Sequence, residues 1–128
     1  MRIEHVAIWS QNPELLKDFY CRYFEGTAGE KYHNPKKNFT SYFISFASGS
    51  RLEIMSTPAV RTGVRTGIVY AGLAHLSVST GSREAVDALT ERFRRDGFTI
   101  AGEPRLTGDG YYESVVEDPE GNLVEITI

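Results

Sequence analysis

The sequence predicts an α+β fold: two βαβββ repeats forming a curved mixed-sheet cleft, with helices on the outer face. Three observations carry this. Landmarks recur in the same order in both halves, each half holds one amphipathic helix candidate, and the remainder alternates in hydropathy as strands do. Ile3-Glu4-His5-Val6-Ala7-Ile8 is matched by Leu73-Ala74-His75-Leu76-Ser77-Val78, its histidines 70 positions apart. Gly49-Ser50-Arg51-Leu52-Glu53-Ile54 is matched by Gly121-Asn122-Leu123-Val124-Glu125-Ile126, its glutamates 72 apart. An Ala-Gly-Glu triplet occurs at 28–30 and again at 101–103. A shared order with a near-constant offset makes chance a poor explanation.

The first strand spans about 2–9. A helix follows over Pro13 to Phe24. Asn12 can cap it by accepting from a free backbone N–H, and Pro13 suits the first helical position, whose N–H has no partner. Leu16, Tyr20 and Tyr23 share one face with Leu15 and Phe19, and Gly26 lies near the end. Residues 31–38 read as a polar exposed loop, and 39–47 and 51–56 as strands joined at Ser48-Gly49-Ser50. Residues 57–70 lack periodicity and read as a linker. Repeat one therefore occupies about 1–56 and repeat two about 71–128. In the second repeat a strand at 72–79 leads to a helix over Arg83 to Asp96, capped by Ser82. Val86, Leu89 and Phe93 form its apolar stripe, and Gly97 supplies a left-handed stop. Strands at 98–101, 111–117 and 123–128 complete it, the last two joined by the turn-forming Asp118-Pro119-Glu120-Gly121-Asn122.

Composition agrees with one globular domain. The chain has 128 residues, 41% hydrophobic and 24% charged. That length buries roughly two thirds of the surface of the unfolded chain. No apolar run approaches the ~18 residues of a membrane span, and no signal peptide opens the chain, so no membrane association is expected. A net charge of −3, from 14 basic and 17 acidic residues, argues against nucleic acid. The single cysteine, Cys21, cannot form an internal disulfide, which suits a reducing cytoplasm. Cys21 reads as helix packing and His33 as a solvated loop residue.

Side chains alternate across a strand. Val6 and Ile8, Leu52 and Ile54, Leu76 and Val78, and Val124 and Ile126 give each of four strands an aliphatic face. The opposite faces carry His5, Glu53, His75 and Glu125. If those faces curve around one cavity, two imidazoles and two carboxylates converge. Carboxylates brought together without a cation repel, and burying an ionised group alone is costly. A divalent cation relieves both. Nitrogen and oxygen donors suit Zn, Ni, Co, Fe or Mn over soft-metal sites. Four such ligands in an octahedral shell leave two positions for substrate oxygens.

In these residues the sequence resembles the vicinal oxygen chelate superfamily, and within it the glyoxalase I (lactoylglutathione lyase) branch of the glyoxalase–bleomycin resistance–dioxygenase family. His5 in Ile-Glu-His-Val, Glu53 in Gly-Ser-Arg-Leu-Glu-Ile, His75 in Gly-Leu-Ala-His-Leu and Glu125 in Asp-Pro-Glu-Gly-Asn-Leu-Val-Glu carry the resemblance, from Ile3 to Ile128. It implies a single vicinal oxygen chelate domain over 1–128 and one divalent metal, Zn or Ni first, on His5, Glu53, His75 and Glu125. It further implies a homodimer and a small-molecule substrate, in the cytoplasm that the lone Cys21 suits. The implied reaction is a glyoxalase I-like lyase or isomerase step through an enediolate, on a small α-oxo compound or its thiol adduct. Glu125 is then the leading base, with Glu53 its counterpart. Trp9 stands where glutathione-using members carry arginine, and Met55-Ser56-Thr57-Pro58 lacks their asparagine. An aromatic wall at Trp9 points to a flatter or more apolar substrate. Tyr111 and the linker's Arg65 join Trp9 as pocket residues. Other members' chemistries are the alternatives: a non-haem iron extradiol-type dioxygenase using His5, His75 and Glu125, an epimerase acting beside a thioester, or a metal-free drug-binding protein.

Overall fold

The computed structural model describes residues 1–61, 63, 69 and 71–128. The chain divides into two compact units, Met1–Thr66 and Gly67–Ile128. The first contains β1 (His5–Trp9), α1 (Pro13–Tyr23), β2 (Thr27–Ala28), β3 (Tyr32–Asn34), β4 (Phe39–Ser45) and β5 (Arg51–Ser56). The second contains β6 (Leu76–Ser79), α2 (Arg83–Arg95), β7 (Ile100–Leu106), β8 (Tyr112–Glu117) and β9 (Leu123–Thr127). Among the described residues, no helix is long and apolar enough to cross a membrane.

Both helices start at their expected caps. Asn12 Oδ1 accepts from the backbone N–H of Leu15 at 3.2 Å, and Ser82 Oγ accepts from that of Ala85 at 3.2 Å. Gly97, at φ 85, ends α2. The Gly97 N–H reaches Arg94 O at 3.2 Å and the Phe98 N–H reaches Phe93 O at 3.0 Å. Phe93 and Phe98 then meet edge to face, their ring centroids 5.6 Å apart. This paired bonding with an apolar clasp satisfies carbonyls that the helix end leaves over. At the end of α1 the left-handed residue is Glu25 (φ 55) rather than Gly26. Gly26 serves a different need: a Cβ there would lie 2.5 Å from Ile44 Cγ2, so only glycine lets the chain cross β4 this closely.

Each unit forms one mixed sheet of the predicted α+β type. The first runs β1-β5-β4-β2, with β3 also on β4; the second runs β6-β9-β8-β7. The histidine-bearing segment runs parallel to the last strand in both units: β1 pairs with β5, and β6 with β9. The other pairs are antiparallel. In the first unit the strand after the helix is broken in two, as β2 and β3, where the second has the continuous β7. Part of the expected 31–38 loop is thus strand, though Tyr32 and His33 are exposed. In the second unit β6 begins at Leu76 rather than 72, leaving His75 just ahead of it. Conversely β7 runs to Leu106, well past the expected 98–101. Gly102 and Pro104 hide its strand character. Pro104 is tolerated because β7 is an edge strand with register shifts on both sides of Gly102.

The apolar stripe of each helix covers the aliphatic face of its own sheet. Leu16, Phe19, Tyr20 and Tyr23 are buried in the first unit together with Tyr42, Ile44, Leu52 and Ile54. Val86 and Phe93 are buried in the second, as are Val116, Val124 and Ile126. Thr90 Oγ1 meets Ser114 Oγ at 2.7 Å inside that core and donates to Val86 O, so both buried hydroxyls are satisfied. Half of the linker expected at 57–70 lies outside the described residues.

Candidate functional site

His5 and Glu53 lie on the face of the first sheet opposite α1. Ala7 pairs in register with Glu53, so His5 is its diagonal neighbour. His5 Nε2 lies 3.7 Å from Glu53 Oε2, with 39% and 14% of the two side chains exposed. The second unit repeats this. Ser77 pairs with Glu125, and His75 Nε2 lies 3.5 Å from Glu125 Oε2. One His–Glu pair thus forms inside each unit, on corresponding strands. Among the described residues, no group of three or more His, Cys, Asp or Glu side chains is poised around a metal position.

Each pair fits adjacent ligands of one small divalent cation. Two donors bound at about 2.1 Å lie about 3.0–3.4 Å apart for right-angle to tetrahedral arrangements. Separations of 3.7 and 3.5 Å need less than about 1 Å of closure to reach that range.

The polar surroundings aim these donors. Glu4 Oε2 meets His5 Nδ1 at 2.5 Å, and Glu4 Oε1 accepts from Arg51 Nε at 2.8 Å. The His5 contact, joined by Arg51, holds the Glu4 carboxyl below its ordinary range. An ionised carboxylate can only accept, so the hydrogen of this contact sits on His5 Nδ1, and in the neutral imidazole Nε2, on the Glu53 side, is then the nitrogen with the lone pair. The Arg51 guanidinium lies 4.1 Å from the centroid of the Phe43 ring, which also meets the His5 ring edge to face. In the second unit the fixed partner is the carboxylate. Ser77 Oγ donates to Glu125 Oε1 at 2.6 Å, leaving Oε2 facing His75.

Beside Glu125 sits a second carboxyl of the same unit, Glu113, which is buried. Burial first, and then the charge of Glu125 and a hydrogen bond to it, push the Glu113 carboxyl above its ordinary range. Arg105 acts the other way, with Nη2 at 3.2 Å from Glu113 Oε1. A half-buried carboxylate with a second acidic group against it attracts a cation.

Of the pocket residues, Trp9 lies at the end of β1, 53% exposed and edge-on to Phe39. Phe39 also contacts Tyr32, so a partly exposed aromatic row lies further along the strands from the His5–Glu53 pair, at the Trp9 end of β1. Tyr111 is exposed in the turn before β8, where its backbone bonds to Thr107, whereas Tyr112 turns to the helix and donates to Asp87 at 2.8 Å. Arg65 lies outside the described residues. Sequence reading passed over Glu4, Ser77, Arg105 and Glu113. Glu4 and Ser77 were legible as polar neighbours of the two histidines. Alternation along 111–117 places Glu113 on the face opposite Ser114 and Val116. Arg105 carried no such signal, because the irregularities in β7 reset its alternation.

The sequence model of the Glyoxalase/Bleomycin resistance protein/Dioxygenase superfamily matches residues 2–126. The chain belongs to this superfamily. Its structure is similar to glyoxalase I from Zea mays, with TM-score 0.78 and 20% identity; that match covers 98% of this chain and 44% of the maize chain. The chain thus spans less than half of the maize protein's length. It is also similar to a glyoxalase family protein from Enterococcus faecalis, with TM-score 0.79 and 23% identity over 99% of this chain and 97% of the other. The trypanothione-dependent glyoxalase I from Leishmania major matches at TM-score 0.74 and 19% identity, over 99% and 86% of the two chains. At these identities the structural likenesses establish the fold. No curated protein matches the sequence.

Proposed function

We propose that this superfamily member is a divalent-metal-dependent lyase or isomerase of glyoxalase I type, acting on a small α-oxo compound or its thiol adduct. The observation that carries this is the same His–Glu pair in both units, at 3.7 and 3.5 Å. The two pairs together offer two imidazoles and two carboxylates, a set that suits Zn or Ni and accommodates Co, Mn or Fe. A bound cation would supply Lewis acidity towards neighbouring substrate oxygens and so stabilise an enediolate.

The chain's own residues do the rest. Glu125 is the base: its Oε2 takes the proton from the carbon beside the carbonyl and returns it to the neighbouring carbon. Ser77 holds the other oxygen, so the carboxylate keeps its aim when Oε2 moves. Glu53 is the corresponding carboxylate of the other pair and shares the ligand role with the two histidines. Glu4 fixes the His5 tautomer. The exposed row of Trp9, Phe39 and Tyr32 offers an apolar wall for the substrate's remaining atoms. A homodimer, in keeping with the family, completes the proposal, and the lone Cys21 suits a cytoplasmic location.

Glu125→Gln tests the assignment. With hemithioacetals of α-ketoaldehydes, the variant is expected to retain metal and lose exchange of the substrate C–H with solvent deuterium. Unchanged exchange and turnover in Glu125→Gln would overturn the assignment.

A further inference from the structure

The two units share the His–Glu pair, yet they differ two residues further along the same sheet face. In the second unit Glu113 lies opposite Thr127, two residues beyond Glu125, and Arg105 lies opposite Glu113. The corresponding first-unit positions are Ser41, opposite Met55, and Tyr32, opposite Ser41. A charged pair in one repeat thus replaces a neutral one in the other.

Arg105 reaches this face through irregular backbone. Register along β7 and β8 shifts between Ile100 and Gly102 and again between Gly102 and Arg105. Each one-residue shift reverses the side to which later side chains point. The second turns Arg105 to the face of Glu113 and Glu125, while Glu103 faces the helix side and pairs with Arg94. Gly102 then makes room: a Cβ there would lie 3.4 Å from Arg105 Nη1 and 3.3 Å from Val115 Cγ2. Glu113 holds one end of the guanidinium through Nη2, and 58% of the Arg105 side chain stays exposed. A guanidinium carries five N–H donors in a fixed fork, and one contact leaves most of them for another acceptor.

We propose that Arg105, positioned by Glu113 and Gly102, is a specificity-determining residue that binds an anionic group, a carboxylate, on the substrate handled at the His75–Glu125 pair. The substrate class becomes an α-oxo compound or adduct with an acidic tail. The inference rests on the proposed function for what occupies the neighbouring pair, but the anion subsite is made by this unit's own side chains.

Two measurements test it. Metal-free protein is titrated with glutarate while the arginine Nε–H signals are followed by NMR, the Arg105 signal being assigned by its loss in Arg105→Ala. Arg105 is expected to saturate at about tenfold lower glutarate than the other arginines, as a charge-assisted contact allows. Glu113→Gln, which loosens the guanidinium, is expected to weaken that response. Cobalt-loaded protein is then offered glutarate monohydroxamate and its methyl ester. The acid is expected to bind about tenfold tighter, and Arg105→Ala to equalise the two while leaving the affinity for the ester. An Arg105 response no stronger than that of the other arginines, or a preference for the acid that survives Arg105→Ala, overturns the subsite. Failure to take up cobalt, with the glutarate response intact, overturns the metal reading and leaves the subsite standing.

Discussion

At the scale of single residues, the two repeats steady different members of the His–Glu pair. In the first, Glu4 and Arg51 fix His5; in the second, Ser77 fixes Glu125. Ala74 and Ala7 occupy the positions matching Glu4 and Ser77, so neither device is duplicated. Glu4→Ala is therefore expected to weaken metal binding by about 10–100-fold, the usual effect of removing an outer hydrogen-bond partner of a ligand histidine. Glu4→Gln keeps an acceptor for His5 Nδ1 and is expected to recover most of that loss. Competition against a chromogenic chelator reads both; equal affinity in Glu4→Ala and the parent protein would show that His5 needs no such support. The pairs themselves were legible from the repeated histidine and glutamate. Their supports were less so, because a hydrogen bond between adjacent side chains depends on rotamers that no periodicity records.

At the scale of elements, the turn between β8 and β9 places Glu125. Asp118 is buried, and its Oδ1 accepts from the backbone N–H groups of Glu120 and Asn122, both at 2.9 Å. Its Oδ2 accepts from Asn122 Nδ2 at 2.8 Å, and Gly121 takes φ 80. Asp118→Ala strands two backbone donors and is expected to lower stability by about 2–4 kcal/mol in denaturant unfolding; a loss below about 0.5 kcal/mol would mean water satisfies them. Gly97→Ala forces a Cβ into the left-handed end of α2 and is expected to destabilise by about 1 kcal/mol. Glu14 ties α1 to β4. It accepts from Tyr42 Oη at 2.6 Å and from Lys31 Nζ at 2.9 Å, and these bonds, with Lys17, hold its carboxyl at about 2. A carboxyl depressed by folding stabilises above its unfolded value and stops doing so as pH falls towards the folded one. The parent protein should lose part of its stability between about pH 4.5 and 2. Glu14→Gln should show a shallower acid limb, and identical limbs would contradict this role. Turn and cap chemistry made these elements readable. The extent of β7 was not, because Gly102 and Pro104 mimic a break where the strand continues through its register shifts.

At the scale of the whole molecule, a duplicated unit with a specialised copy accounts for most of what the sequence signals. His5 and His75, Glu53 and Glu125, and the caps at Asn12 and Ser82 repeat the architecture. Glu113 and Arg105 depart from it. Such departures are read best once the register is known, since only pairing reveals that Ser41 and Tyr32 are their counterparts. The proposed homodimer is expected to scatter light as a particle of about twice the 14.3 kDa chain mass; a mass of one chain at working concentration would contradict it. The central claim is that the two His–Glu pairs hold a divalent metal. Its most direct test is the metal content of the purified protein by elemental mass spectrometry, beside the His5→Ala/Glu125→Ala double variant. The expected result is about one divalent ion per chain, lost in the variant. Protein that carries no metal, and takes up none from Zn, Ni, Co, Mn or Fe solutions, would contradict the claim.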